Sequence, residues 1–126
     1  MTRHLLAALL ILSAPAVARA MAGEFPAGSS QLPEDALRAG IADKTFSVRP
    51  ATGREWRWEF RKNGDYFIHV GQFNDRGTWT VKDSTLCSAG HRVHNLASAP
   101  CNEVRAKDGE LYLKRDNGEI VKLVPD

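Results

Sequence analysis

The spacing of hydrophobic positions changes character near residue 44. Ahead of that point, "LPEDALRAGIADKTF" sets Leu37, Ile41 and Ala36 on one side of a helical wheel. Pro33 suits a first helical turn, and Glu34 and Asp35 complement the positive end of a helix dipole. The spacing predicts one short helix from about Pro33 to Ala42. From Thr45 onward the period is two, broken by glycine turns, which is the signature of antiparallel strands. In "EWRWEFR", Trp56, Trp58 and Phe60 share one face, while Glu55, Arg57, Glu59 and Arg61 share the other.

Turn length fixes the register of the next strand, "DYFIHV". A two-residue loop would set Phe60 against Phe67 and Trp58 against His69. A three-residue loop, Lys62-Asn63-Gly64 with a left-handed glycine, sets Phe60 against Tyr66 and Trp58 against Ile68. The second choice gives one continuous apolar face and is the expectation, with Phe67 and His69 then beside Glu59 and Arg57 on the other face. The same rule applied to Asp116-Asn117-Gly118 sets Leu113 against Val121 and Leu111 against Leu123. "GTWTVK" adds Trp79 and Val81 to the core, and "CNEVRA" adds Val104, joined to "ELYLKR" through an Asp108-Gly109 turn. The expectation is a mainly β chain: one short N-terminal helix, then a seven- to eight-stranded antiparallel meander curled into a small barrel or half-barrel.

The first residues add a destination. "MTRHLLAALLILSAPAVARA" has a positive start, an apolar run from Leu5 to Leu12, and small residues ending in an A-x-A site. It reads as a signal peptide over residues 1–20, cleaved after Ala20 or Ala22. The apolar run is too short to span a bilayer, so no stable membrane insertion is expected after cleavage. With no cysteine near the cleavage site, lipoprotein processing is not expected, and the destination is the periplasm or the exterior. Residues 21–32 are expected to be a flexible leader, and residues 33–126 a single β-barrel-like domain. The formal charge of +2 is the contribution of Arg3 and Arg19, which leaves fifteen basic against fifteen acidic side chains in residues 21–126. An interleaved, neutral chain lacks the footprint of a nucleic-acid binder.

Both cysteines lie in "LCSAGHRVHNLASAPC", with His91 and His94 between them. Cys87, His91, His94 and Cys101 are four candidate ligands for tetrahedral zinc, although no C-x2-C or H-x3-5-H pair is present. An isolated pair of cysteines in an exported chain favours a disulfide instead, and Cys87–Cys101 is the expected bond. His91 and His94 then remain as a possible two-imidazole metal site.

Gly77-Thr78-Trp79-Thr80-Val81, followed by Leu86-Cys87 and Cys101-Asn102-Glu103-Val104, resembles a loose group of small secreted proteobacterial proteins of uncharacterised function. The shared parts include Lys44-Thr45 at the first strand and Phe60 with Asn63-Gly64. The resemblance implies a lipocalin-like antiparallel barrel or half-barrel and carries over no catalytic or binding residue. Asp43 stands where glycine is usual in that group, and the histidine-bearing cysteine loop is particular to this chain.

Candidate chemistry is sparse. There is no G-x-S-x-G, H-E-x-x-H, phosphate loop, C-x-x-C or C-x-x-C-H motif. No enzyme activity and no cofactor are expected. Trp56, Trp58 and Trp79 are candidate ligand contacts inside a barrel, and Phe67 and His69 candidate contacts outside it. The expected function is an exported, non-enzymatic module that binds a protein or a small ligand and is stabilised by one disulfide. The alternatives are a metal-binding or metal-sensing protein using His91 and His94, and an inhibitor of an envelope or foreign hydrolase.

Overall fold

The structure is a computed structural model that describes residues 23–90, 101–115 and 117–126. One helix, α1 (Glu34–Ile41), precedes a run of strands: β2 (Lys44–Val48), β3 (Trp56–Phe60), β4 (Asp65–Val70), β5 (Phe73–Lys82), β6 (Thr85–Gly90), β7 (Cys101–Lys107), β8 (Glu110–Lys114) and β9 (Ile120–Pro125). Each strand pairs antiparallel with the next. β2 pairs with β9 through Phe46 opposite Pro125 and Ser47 opposite Val124, which closes the eight strands into a barrel. A two-residue strand, β1 (Ser30–Gln31), lies against β7 beyond the stretch that β6 occupies.

The hairpins follow their turn chemistry. Phe60 faces Tyr66 and Trp58 faces Ile68, the register of a three-residue loop. Gly64 takes φ 98° there, and its N–H donates to the Arg61 carbonyl at 3.1 Å. The last hairpin repeats the pattern, with Gly118 at φ 88° and Leu113 opposite Val121. Asp108 (φ 51°) and Gly109 (φ 78°) make the left-handed two-residue turn between β7 and β8.

α1 ends where the pattern places it. Arg38 reaches back to Glu34 at 2.8 Å and Asp35 at 3.3 Å, exposed pairs that steady the first turn only weakly. Asp43, at φ 59°, then turns the chain into β2, and its carboxylate accepts the Lys62 N–H at 2.8 Å. A left-handed φ favours glycine, and the local hydrogen bond offsets part of the cost for aspartate.

Leu37 and Ile41 are fully buried in the same core as the barrel residues. Glu34 accepts the Asp83 N–H from the β5–β6 turn, and Gly40 lies close to Leu111 at the start of β8. α1 therefore packs across one end of the barrel. The segment expected to be a flexible leader contributes β1, and the Phe25 ring lies 4.7 Å from the Arg105 guanidinium. Two backbone pairs and one cation–π contact hold it along β7.

Alternation fills the barrel. Phe46 and Val48, Trp56, Trp58 and Phe60, Tyr66 and Ile68, Trp79 and Val81, then Leu86, Val104, Leu113 and Leu123 all point inward. Phe60 sits among the rings, 4.7 Å from Trp58 and 5.5 Å from Trp79 between centroids. The Trp79 indole N–H donates to the Arg61 carbonyl at 2.7 Å, which satisfies its one polar atom.

Candidate functional site

The two cysteines are direct cross-strand partners, Cys87 on β6 and Cys101 on β7, and they form a disulfide. Their neighbours Leu86 and Asn102 are buried, so the bond lies on the outer face of the sheet. With both sulfurs joined, the four-ligand zinc reading loses its thiolates. His91 and His94 lie outside the described residues. Among the described residues, no group of three or more His, Cys, Asp or Glu side chains is placed to hold a metal.

The other candidate contacts fall into two sets that never meet. Phe67 and His69 are on the outer face, opposite Glu59 and Arg57. Polar partners surround them. Arg61 pairs with Glu59 at 2.7 Å and lies over the Phe67 ring, while Arg57 pairs with Asp126 at 2.8 Å. Asp126 also accepts the Ser47 hydroxyl, and His69 shares a hydrogen bond with Asn74. This is an ordinary ion-paired surface.

Trp56, Trp58 and Trp79 are on the inner face, and there the structure adds residues that the sequence pattern did not single out. β5 begins at Phe73, well before "GTWTVK", so its alternation carries Asp75 and Gly77 inward with Trp79 and Val81. Asp75 is only 8% exposed. It stands opposite Ile68, which stands opposite Trp58, so the three form one cross-strand row. Tyr66 stands opposite Gly77 and leans across it. A Cβ at Gly77 would sit 2.7 Å from the Tyr66 hydroxyl, so the phenol tip rests on the strand two residues from Asp75. Burial, and then the Asp75 carboxylate, push the Tyr66 hydroxyl above its ordinary pKa. Glycine is what the site needs: any side chain there would displace the phenol.

The tryptophans divide by their polar atoms. Trp79 is satisfied; the indole N–H groups of Trp56 and Trp58 are buried and meet no acceptor among the described residues. A buried donor left unmade costs about 1–3 kcal/mol, so two of them in one barrel call for a reason. Trp56 begins β3 at the end of the barrel away from α1, and Trp58 is the middle residue of that strand. At that distal end, Arg115 lies over Trp56 at 5.3 Å and pairs with Glu119 at 3.1 Å, both largely buried. Glu119 also accepts the Ala51 N–H at 2.9 Å, which ties the β2–β3 loop to the β8–β9 turn above Trp56.

The barrel interior thus brings together aromatic rings, a buried carboxylate, a phenol and two buried indole donors that meet no acceptor among the described residues. Among the described residues, sequence reasoning missed Asp75; the available signal was the period of two that places it in phase with Gly77, Trp79 and Val81. Comparisons with protein-family models, with curated proteins and with solved structures find no match to this chain.

Proposed function

We propose that this chain is an exported, non-enzymatic binding module that takes a small ligand into the distal half of its barrel. The observation that carries the reading is the pair of buried indole donors, Trp56 and Trp58, with no acceptor among the described residues. A bound molecule that supplies acceptors would remove the cost of burying them. The Cys87–Cys101 bond suits an oxidising compartment, and the balanced charge suits neither nucleic acid nor an anionic membrane surface. Metal binding through His91 and His94 and inhibition of a hydrolase remain the other readings of the sequence; no observation among the described residues favours either.

Native mass spectrometry of protein purified from the periplasm tests the proposal. A small noncovalent mass that disappears on denaturation, and is absent from Trp58→Phe, is the expected result. Loss of Trp58 dependence would place the ligand elsewhere. A bare native mass, with no thermal stabilisation by any member of a small-metabolite library, would overturn the reading.

A further inference from the structure

We infer that Asn117 is a site of spontaneous modification in the folded chain: its side-chain amide closes on the Gly118 nitrogen and reopens as aspartate or isoaspartate, ahead of the matching Asn63-Gly64 pair. Both hairpin turns carry an asparagine followed by a glycine, and both asparagines are exposed. Glycine has no side chain to shield its backbone nitrogen from the residue before it. Once solvent base has taken its proton, the Gly118 nitrogen attacks Cγ of Asn117. A new C–N bond forms there, the old one to the side-chain nitrogen breaks, and ammonia leaves. Water then opens the cyclic imide at either carbonyl, so the net change is a water consumed and an ammonia released.

Sequence and exposure do not separate the two turns, but their restraints do. Ring closure requires the glycine N–H to be released and the asparagine side chain to turn. At Asn63 this disturbs four hydrogen bonds. The Gly64 N–H donates to the Arg61 carbonyl at 3.1 Å, and the Gly64 carbonyl accepts the Trp79 N–H of β5 at 2.8 Å. Asn63 Oδ1 accepts the Asp65 N–H at 3.0 Å, and Nδ2 donates to the Asp65 carboxylate at 3.2 Å. At Asn117, among the described residues, it disturbs two: the Gly118 N–H to the Arg115 carbonyl at 3.0 Å, and the Glu119 N–H to Asn117 Oδ1 at 3.0 Å. Two extra bonds at their usual net worth slow Asn63 by on the order of tenfold. Space agrees, since a Cβ on Gly118 would meet nothing within 4 Å, whereas Gly64 lies against Trp79. The product reaches further than the turn. Isoaspartate adds a methylene to the backbone and a carboxylate beside Glu119, whose own carboxylate pairs with Arg115 and holds the Ala51 N–H above Trp56.

The test ages the protein, disulfide intact, at mildly alkaline pH, with a parallel sample held unfolded in concentrated urea. Both are digested and mapped by mass spectrometry with fragmentation that distinguishes aspartate from isoaspartate, and Asn117→Asp supplies the standard. In the folded protein the peptide holding Asn117 should gain the mass of an amide turned acid about tenfold faster than the peptide holding Asn63. In urea the two rates should come together. A folded rate at Asn117 no greater than that at Asn63, including no conversion at either, overturns the inference. So does a preference for Asn117 that persists unchanged in urea, because sequence alone would then set it. In the isoaspartate fraction, separated by ion exchange, the Ala51 amide should exchange with solvent about tenfold faster than in the parent protein. Equal exchange overturns the link from the turn to the contact above Trp56.

Discussion

The outer-face disulfide gives a prediction whose size follows from the chain itself. Replacing Cys87 and Cys101 together by serine removes a bond between strands that already pair, and it touches nothing in the core. Its effect should therefore lie mostly in the unfolded chain. The cysteines are 14 positions apart, and closing a loop of that length removes entropy worth about 3 kcal/mol at room temperature. For a domain near 100 residues, 1 kcal/mol moves the melting temperature by about 4 °C, so the paired variant should melt roughly 12 °C lower. Urea unfolding followed by tryptophan fluorescence supplies the free energy, and the slope of the transition reports whether the unfolded chain has become more extended. Reducing the unaltered protein should reproduce the loss. A deficit below about 1 kcal/mol would refute the entropic account, because the unfolded chain would then already hold the two ends close without the bond.

Three further outcomes follow from the packing. Gly77→Ala would drive a Cβ into the Ala89 carbonyl as well as into Tyr66, so a loss at or above the usual overpacking range of about 1–3 kcal/mol is expected in urea unfolding; a change within about 0.5 kcal/mol would refute the close approach. The raised pKa of Tyr66 means that the folded state holds the phenolic proton more tightly than the unfolded chain does. Its contribution is complete below the ordinary value of 10.0 and is lost as pH rises through the folded value, so Tyr66→Phe should flatten the alkaline fall in stability measured by circular dichroism. Arg57→Ala should change stability by less than about 1 kcal/mol, since its pair with Asp126 is solvent-exposed; a larger loss would show that this surface does more than meet water.

What could be read from the sequence was local. Asn63-Gly64 and Asn117-Gly118 fix loop length, loop length fixes register, and the strand alternation then assigns Trp58, Ile68, Leu113 and Val121 to the core. Burial of Trp56, Trp58 and Trp79 was legible for the same reason. Asp75 was not. Asn74-Asp75-Arg76-Gly77 has the composition of a turn, and an inward carboxylate breaks the rule by which strands are recognised. β1 is too short to leave a pattern, and its pairing with Arg105 and Ala106 spans most of the chain. Barrel closure was equally invisible, because nothing in the sequence of β2 names β9 as its neighbour. The split of the candidate contacts into an inner set and an outer set did follow from the predicted register, since Phe67 and His69 alternate with Tyr66 and Ile68.

The closing pair has a kinetic meaning. Most of the barrel's strand pairs join neighbours across a short turn and can zip up as hairpins within microseconds. β2 and β9 are different: Ser47 hydrogen-bonds Asp126, 79 positions along the chain, and only two residue pairs make the register between the strands. Loop-closure entropy sets that contact apart from the rest, so the meander should form first and the seam last. By the same reasoning the seam is where the native barrel opens most readily. Amide exchange in the β2–β9 ladder should run ahead of exchange in β3–β4 at every denaturant concentration below the transition. A molecule admitted to the interior would then have a side door, hinged on the two strands that frame the chain's first and last turns around the barrel.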